Sequence, residues 1–114
     1  MATEQQSRQT RRGARVFIRI PVQIKAVGQD GSEVNEAAEA VVVSRFGALL
    51  RTRRPLKKNS DISVTNGFSK EVVTFRVVWL GEKQSDGRWD IGVEATDLHE
   101  DFWGIRFPSA NVKG

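Results

Sequence analysis

Three arginines, Arg11, Arg12 and Arg15, stand close together just before the first apolar alternation of the chain. A guanidinium is permanently charged and forks paired N–H groups toward phosphate oxygens or toward O6 and N7 of guanine. Further on, Val42-Val43-Ser44-Arg45-Phe46-Gly47 is a short polar break between two apolar runs. It offers a hydroxyl, and its glycine can take a positive φ that turns backbone N–H groups toward an anion. Each piece has a plainer reading alone: a solvated basic arm, and an ordinary β-turn. Together they make a cationic grip beside a hydroxyl-bearing turn.

The rest of the composition narrows the chemistry. The chain has 114 residues, a formal net charge of +4 and 39% hydrophobic residues. That is one domain with one modest core. The basic balance suits an anionic partner or a solvated basic surface. There is no cysteine and only one histidine, His99. Neither a thiolate metal site nor a histidine-based triad can be assembled from that inventory. Asp86, Asp90 and Glu94 form the closest grouping of carboxylates, and solvation of a turn and a strand edge accounts for them. We read no active site, no metal site and no cofactor.

These residues need elements to position them. Residues 1–10 are polar and carry no secretory h-region, so we expect a flexible N-terminal arm. From Val16 to Ala26 the apolar side chains alternate, the signature of a half-buried strand. Val16, Ile18, Ile20, Val22, Ile24 and Ala26 share one face; Phe17, Arg19, Pro21, Gln23 and Lys25 share the other. Pro21 predicts a sheet edge or a bulge at that point. Glu33–Val43 fits either a helical stripe or a strand, and the β-branched Val41-Val42-Val43 decides for strand. Further strands are expected at 48–52, 61–65, 71–80 and 89–95, with a turn at Asn66-Gly67. Val73, Phe75, Val77 and Trp79 should face the core together. Asp97 and Glu100 have the spacing of a capping box, so a short helix should follow and end near Gly104.

Six short strands between turn signals predict an all-β fold, a small closed or nearly closed antiparallel barrel. The expected limits are an arm over 1–10, a barrel over 11–108 and a tail over 109–114. Trp79, Trp89 and Trp103 could stack bases, but core packing is the expectation for Trp79, and Phe102-Trp103 should pin the helix to the barrel. Trp89 stays open between the two. Arg51, Arg53, Arg54, Lys57 and Lys58 would extend a charged surface for single-stranded nucleic acid, the least favoured of the readings. No run of the sequence reaches transmembrane length.

An R-x-x-x-R arm running into a strand, followed by a [D/N]-x-S-x-x-G turn, resembles the PilZ domain family. The arm here is Arg11-Arg12-Gly13-Ala14-Arg15, and the turn is Val42 to Gly47. Arg8 to Arg12 is a second register; Arg11 to Arg15 is preferred because Arg15 abuts the first strand. Arg76-Val77-Val78-Trp79, Ile91-Gly92-Val93-Glu94 and Phe102-Trp103 add to the resemblance, which spans about residues 8–107. It implies a six-stranded barrel that binds cyclic di-GMP and passes the signal to a protein partner in the bacterial cytoplasm. It implies that Arg11 and Arg15 grip guanine and phosphate, that Ser44 and Gly47 hold the ligand, and that Arg12 is an extra cation. One position departs: the first residue of the turn motif is Val42, which cannot accept a hydrogen bond. That departure keeps a second expectation alive, a PilZ-like adaptor that binds a protein and ignores the nucleotide. Neither membrane insertion nor specific nucleic-acid binding is expected.

Overall fold

A computed structural model describes residues 15–97 and 101–105. Six antiparallel strands close into a barrel in the order β1-β2-β3-β6-β5-β4. They are β1 (Val16–Val27), β2 (Glu33–Val43), β3 (Gly47–Thr52), β4 (Asp61–Asn66), β5 (Val72–Lys83) and β6 (Trp89–Ala95). The ambiguous second segment is a strand, as its β-branched end demands. Closure leaves no long free edge for another chain to extend.

Alternation fills the interior. Ile20, Val22 and Ile24 of β1 meet Val34, Ala40 and Val43 of β2, Leu50 of β3, Ile62 and Val64 of β4, Phe75 and Val77 of β5, and Ile91 and Val93 of β6. Both ends are plugged. At one end the β3–β4 connection crosses beneath the strands, where Leu56 is fully buried and bridges to Gly28. At the other, Phe102 and Trp103 pack on Phe75, with ring centroids 5.6 and 5.9 Å from it.

Asn66 latches that second plug. Its side chain is buried; Nδ2 donates to the Phe102 carbonyl at 2.8 Å, and Oδ1 accepts the Phe68 N–H at 2.8 Å. The helix expected after Asp97 falls partly on residues 98–100, outside the described residues. Among the described residues there is no helix, and Asp101–Gly104 form a turn closed by the Gly104 N–H on the Asp101 carbonyl at 3.0 Å.

Two expectations are corrected by bulges, which insert one extra residue and flip the alternation beyond it. Between Val77 and Trp79 the pairing with β6 slips by one residue, so Trp79 leaves the core face and is 52% exposed. Between Phe17 and Ile20 a similar slip places Ile18 partly outside, while Phe17 is 81% exposed. Pro21 lies beyond that bulge, and in a closed barrel it has no edge to occupy. Its carbonyl accepts the Gly67 N–H at 2.7 Å, where the chain has just left β4. The missing prolyl N–H therefore falls where the ladder with β4 ends and removes little.

Candidate functional site

The register of β1 and β2 brings the sequence-predicted pieces together. Val16 pairs with Val43, so Arg15 and Ser44 leave neighbouring strands at the same end of the barrel. Arg15 is exposed and Ser44 is half-buried. Arg11 and Arg12 lie outside the described residues.

The Ser44–Gly47 turn is closed on itself. The Ser44 N–H donates to the Gly47 carbonyl at 2.9 Å. Ser44 Oγ accepts the N–H of Gly47 at 3.1 Å and that of Phe46 at 3.3 Å. The serine thus orients the two backbone donors that a bare β-turn would leave to solvent. Gly47 does not take the expected positive φ; it is the first residue of β3, in extended backbone. Its glycine is required for another reason. A Cβ there would stand 2.1 Å from the Val93 carbonyl oxygen of β6. Close contact, not φ, makes this position glycine: β6 backbone occupies the space a side chain would need.

Val42 belongs to a feature that no motif announced. Phe17 pairs with Val42, Val42 with Leu49, Leu49 with Gly92, and Gly92 with Trp79. These five residues form one apolar row across the outer face of β1, β2, β3, β6 and β5. At about 4.8 Å per strand step the row runs roughly 19 Å. Two glycines bed the indole. A Cβ on Gly81 would stand 2.6 Å from the Trp79 ring, and one on Gly92 3.1 Å from the Trp79 Cβ.

Charged rows flank it. On one side Glu39, Arg51 and Asp90 are in register, with Arg51 Nε donating to Asp90 at 2.9 Å and Arg88 pairing with Glu39 at 3.3 Å. The hydrogen bond to Asp90 raises the Arg51 guanidinium further above its ordinary range. On the other side Glu94, Arg76 and Asp61 are in register, with Arg76 on Asp61 at 3.1 Å. An apolar strip rimmed by charged residues has the anatomy of an interaction surface.

Sequence reasoning missed this row. Its signals were a phenylalanine on the polar face of β1 and Gly81 two residues after Trp79; Gly92 meets the indole only through the pairing of β5 with β6. Trp89, left open above, is half-buried against the core. Phe102 and Trp103 are buried, as expected of a pin on the barrel end. The loop cations do not converge on Arg15. Arg54 pairs with Glu36 at 3.9 Å and the Arg53 N–H donates to Glu36, both at the opposite end. There an open depression of about 410 Å³ is lined by Gly28, Asp30, Ser32, Arg54 and Pro55 among others. No cluster of three or more histidine, aspartate or glutamate side chains that could hold a metal occurs among the described residues. No helix among them is long and apolar enough to cross a membrane.

The chain matches no protein-family model and no curated protein. Fold and site define it as a closed six-stranded antiparallel barrel with a serine-ordered turn beside a cationic strand entry.

Proposed function

We propose that this protein is a non-enzymatic receptor of the PilZ type that binds cyclic di-GMP at the β2–β3 turn. The observation that carries the reading is the Val16–Val43 pairing, which sets Arg15 beside Ser44. Arg15, with Arg11 and Arg12 preceding it in sequence, supplies cations for phosphate and guanine edges. Ser44 and Gly47 supply the ordered turn. Leu49, Gly92 and Trp79 add an apolar strip on which a purine can lie, since a base face stacks well on an indole. The liganded protein presents a changed surface to a protein partner in the cytoplasm, and no chemistry is done on the ligand.

Calorimetric titration with cyclic di-GMP, with GTP as control, tests this. Saturable heat from the cyclic dinucleotide alone is expected. Arg15→Ala should weaken it by about tenfold or more with the fold intact, the loss of one charge-assisted contact. No heat up to high micromolar ligand rejects the receptor.

Val42 favours a second reading, an adaptor that engages a protein and not the nucleotide. In the row between Phe17 and Leu49 it continues an apolar surface where the motif has an acceptor. If Val42→Asp binds the nucleotide and the natural sequence does not, the adaptor reading stands.

A further inference from the structure

The arm end of the barrel carries an unusual set of exposed apolar side chains. Phe17 is 81% exposed, Phe68 72% and Phe46 43%, with Ile18 and Val72 also open. They come from three places in the sequence: the entry of β1, the β2–β3 turn and the β4–β5 loop. Closure of the barrel gathers them. Strand order runs β5-β4-β1-β2-β3 along one arc of the rim, and the Gly67 N–H to Pro21 carbonyl bond ties the β4–β5 loop to β1.

Each ring has cations near it in the chain. Arg15 and Arg19 flank Phe17, Arg45 precedes Phe46, and Lys70 follows Phe68 by two residues. The Lys70 ammonium bonds the Gly67 carbonyl at 2.8 Å, which holds it at the loop tip with further N–H groups to give. Arg8, Arg11 and Arg12 lead into Arg15 in the sequence. Among the described residues the acids of this end lie mostly off the arc: Glu94 and Asp97 on the β6 side and Asp101 in the plugging segment, with Glu71 beside Lys70.

We propose that this rim docks on an anionic lipid surface, with Phe17, Phe46 and Phe68 entering the headgroup boundary while Arg15, Arg19 and Lys70 meet lipid phosphates. Exposed phenylalanines from three separate segments, each with a cation near it in sequence, suit a fluid interface, which closes around each ring. Ring and cation side by side is the pairing that interfacial segments use. This docking does not rest on nucleotide binding, but it draws on Arg15, so cyclic di-GMP and lipid should compete.

Sedimentation with phosphatidylcholine vesicles, with and without phosphatidylglycerol, tests the proposal. The full chain should pellet with anionic vesicles only, and less at high salt. The double variant Phe17→Ser/Phe68→Ser, which leaves the core intact, should lower binding by about tenfold or more. Absence of pelleting by the natural sequence overturns the proposal. So does a double variant that pellets as well as the natural chain, since charge alone then suffices. A concentration-dependent dimer by light scattering, lost in the double variant and unaccompanied by vesicle binding, overturns it in favour of a second copy. Titration with cyclic di-GMP without vesicles separates the two ideas: lipid docking without nucleotide binding removes only the receptor, and the converse removes only the docking.

Discussion

The two ends of this barrel are built alike and finished differently. Each is closed by apolar side chains, Leu56 at one and Phe102 with Trp103 at the other. At the Leu56 end several surface charges pair with one another. Arg88 pairs with Asp86 and Glu39, Arg54 with Glu36, and Asp30 accepts from Ser32. At the other end phenylalanines stand in solvent beside arginines, and a serine spends its hydroxyl on ordering two backbone donors. Exposed aromatic rings gathered beside cations form the kind of patch that marks an interaction surface.

The sharpest way to break the contrast is to force the arm end apart. Gly47→Val puts a side chain where the Val93 carbonyl stands, so β3 and β6 must separate. A loss of about 3 kcal/mol or more is expected in denaturant unfolding. A variant as stable as the natural chain would return Gly47 to a purely ligand-facing role. Next comes the latch. Asn66→Ala leaves the Phe102 carbonyl and the Phe68 N–H without their buried partner. It should cost about 2 kcal/mol, with the tryptophan fluorescence of Trp103 shifting toward that of an exposed ring.

The self-paired end should respond least. Arg88→Ala removes two partly exposed ion pairs and is expected to cost under about 1 kcal/mol, less still at high salt. Acid acts here in a defined direction. A side-chain hydrogen bond from Ser32 holds the Asp30 carboxyl, and the backbone N–H of Arg88 holds that of Asp86, below the ordinary value of 3.8. That contribution is complete above 3.8 and is lost as the pH falls through the lowered values. Hydrogen exchange of the β1–β2 and β5–β6 hairpins below pH 3.8 should show it, and unchanged protection there would count against it.

Much of the architecture was legible beforehand because period-two burial is a local property. Ile20, Val22 and Ile24, or Val73, Phe75 and Val77, declare their face by spacing alone, and Asn66-Gly67 declares its turn. The arginine entry and the serine turn were legible as chemistry, and the antiparallel pairing of β1 with β2 makes them adjacent. The role of Gly47 was not legible, because its neighbour Val93 is distant in sequence and close only through sheet pairing. Nor was the outward turn of Trp79. One inserted residue leaves composition and hydropathy unchanged and shows only as a slip against β6.

The sequence by itself determined the strands, their inward faces and the cationic entry to the first of them, since each depends on side chains a few residues apart. Tertiary structure alone decided what lies on the outside. Closure in the order β1-β2-β3-β6-β5-β4 aligned Phe17, Val42, Leu49, Gly92 and Trp79 into one row, and it gathered three phenylalanines onto one rim. Register and closure are relations between strands remote in sequence, and pairing geometry fixes them where local preference cannot.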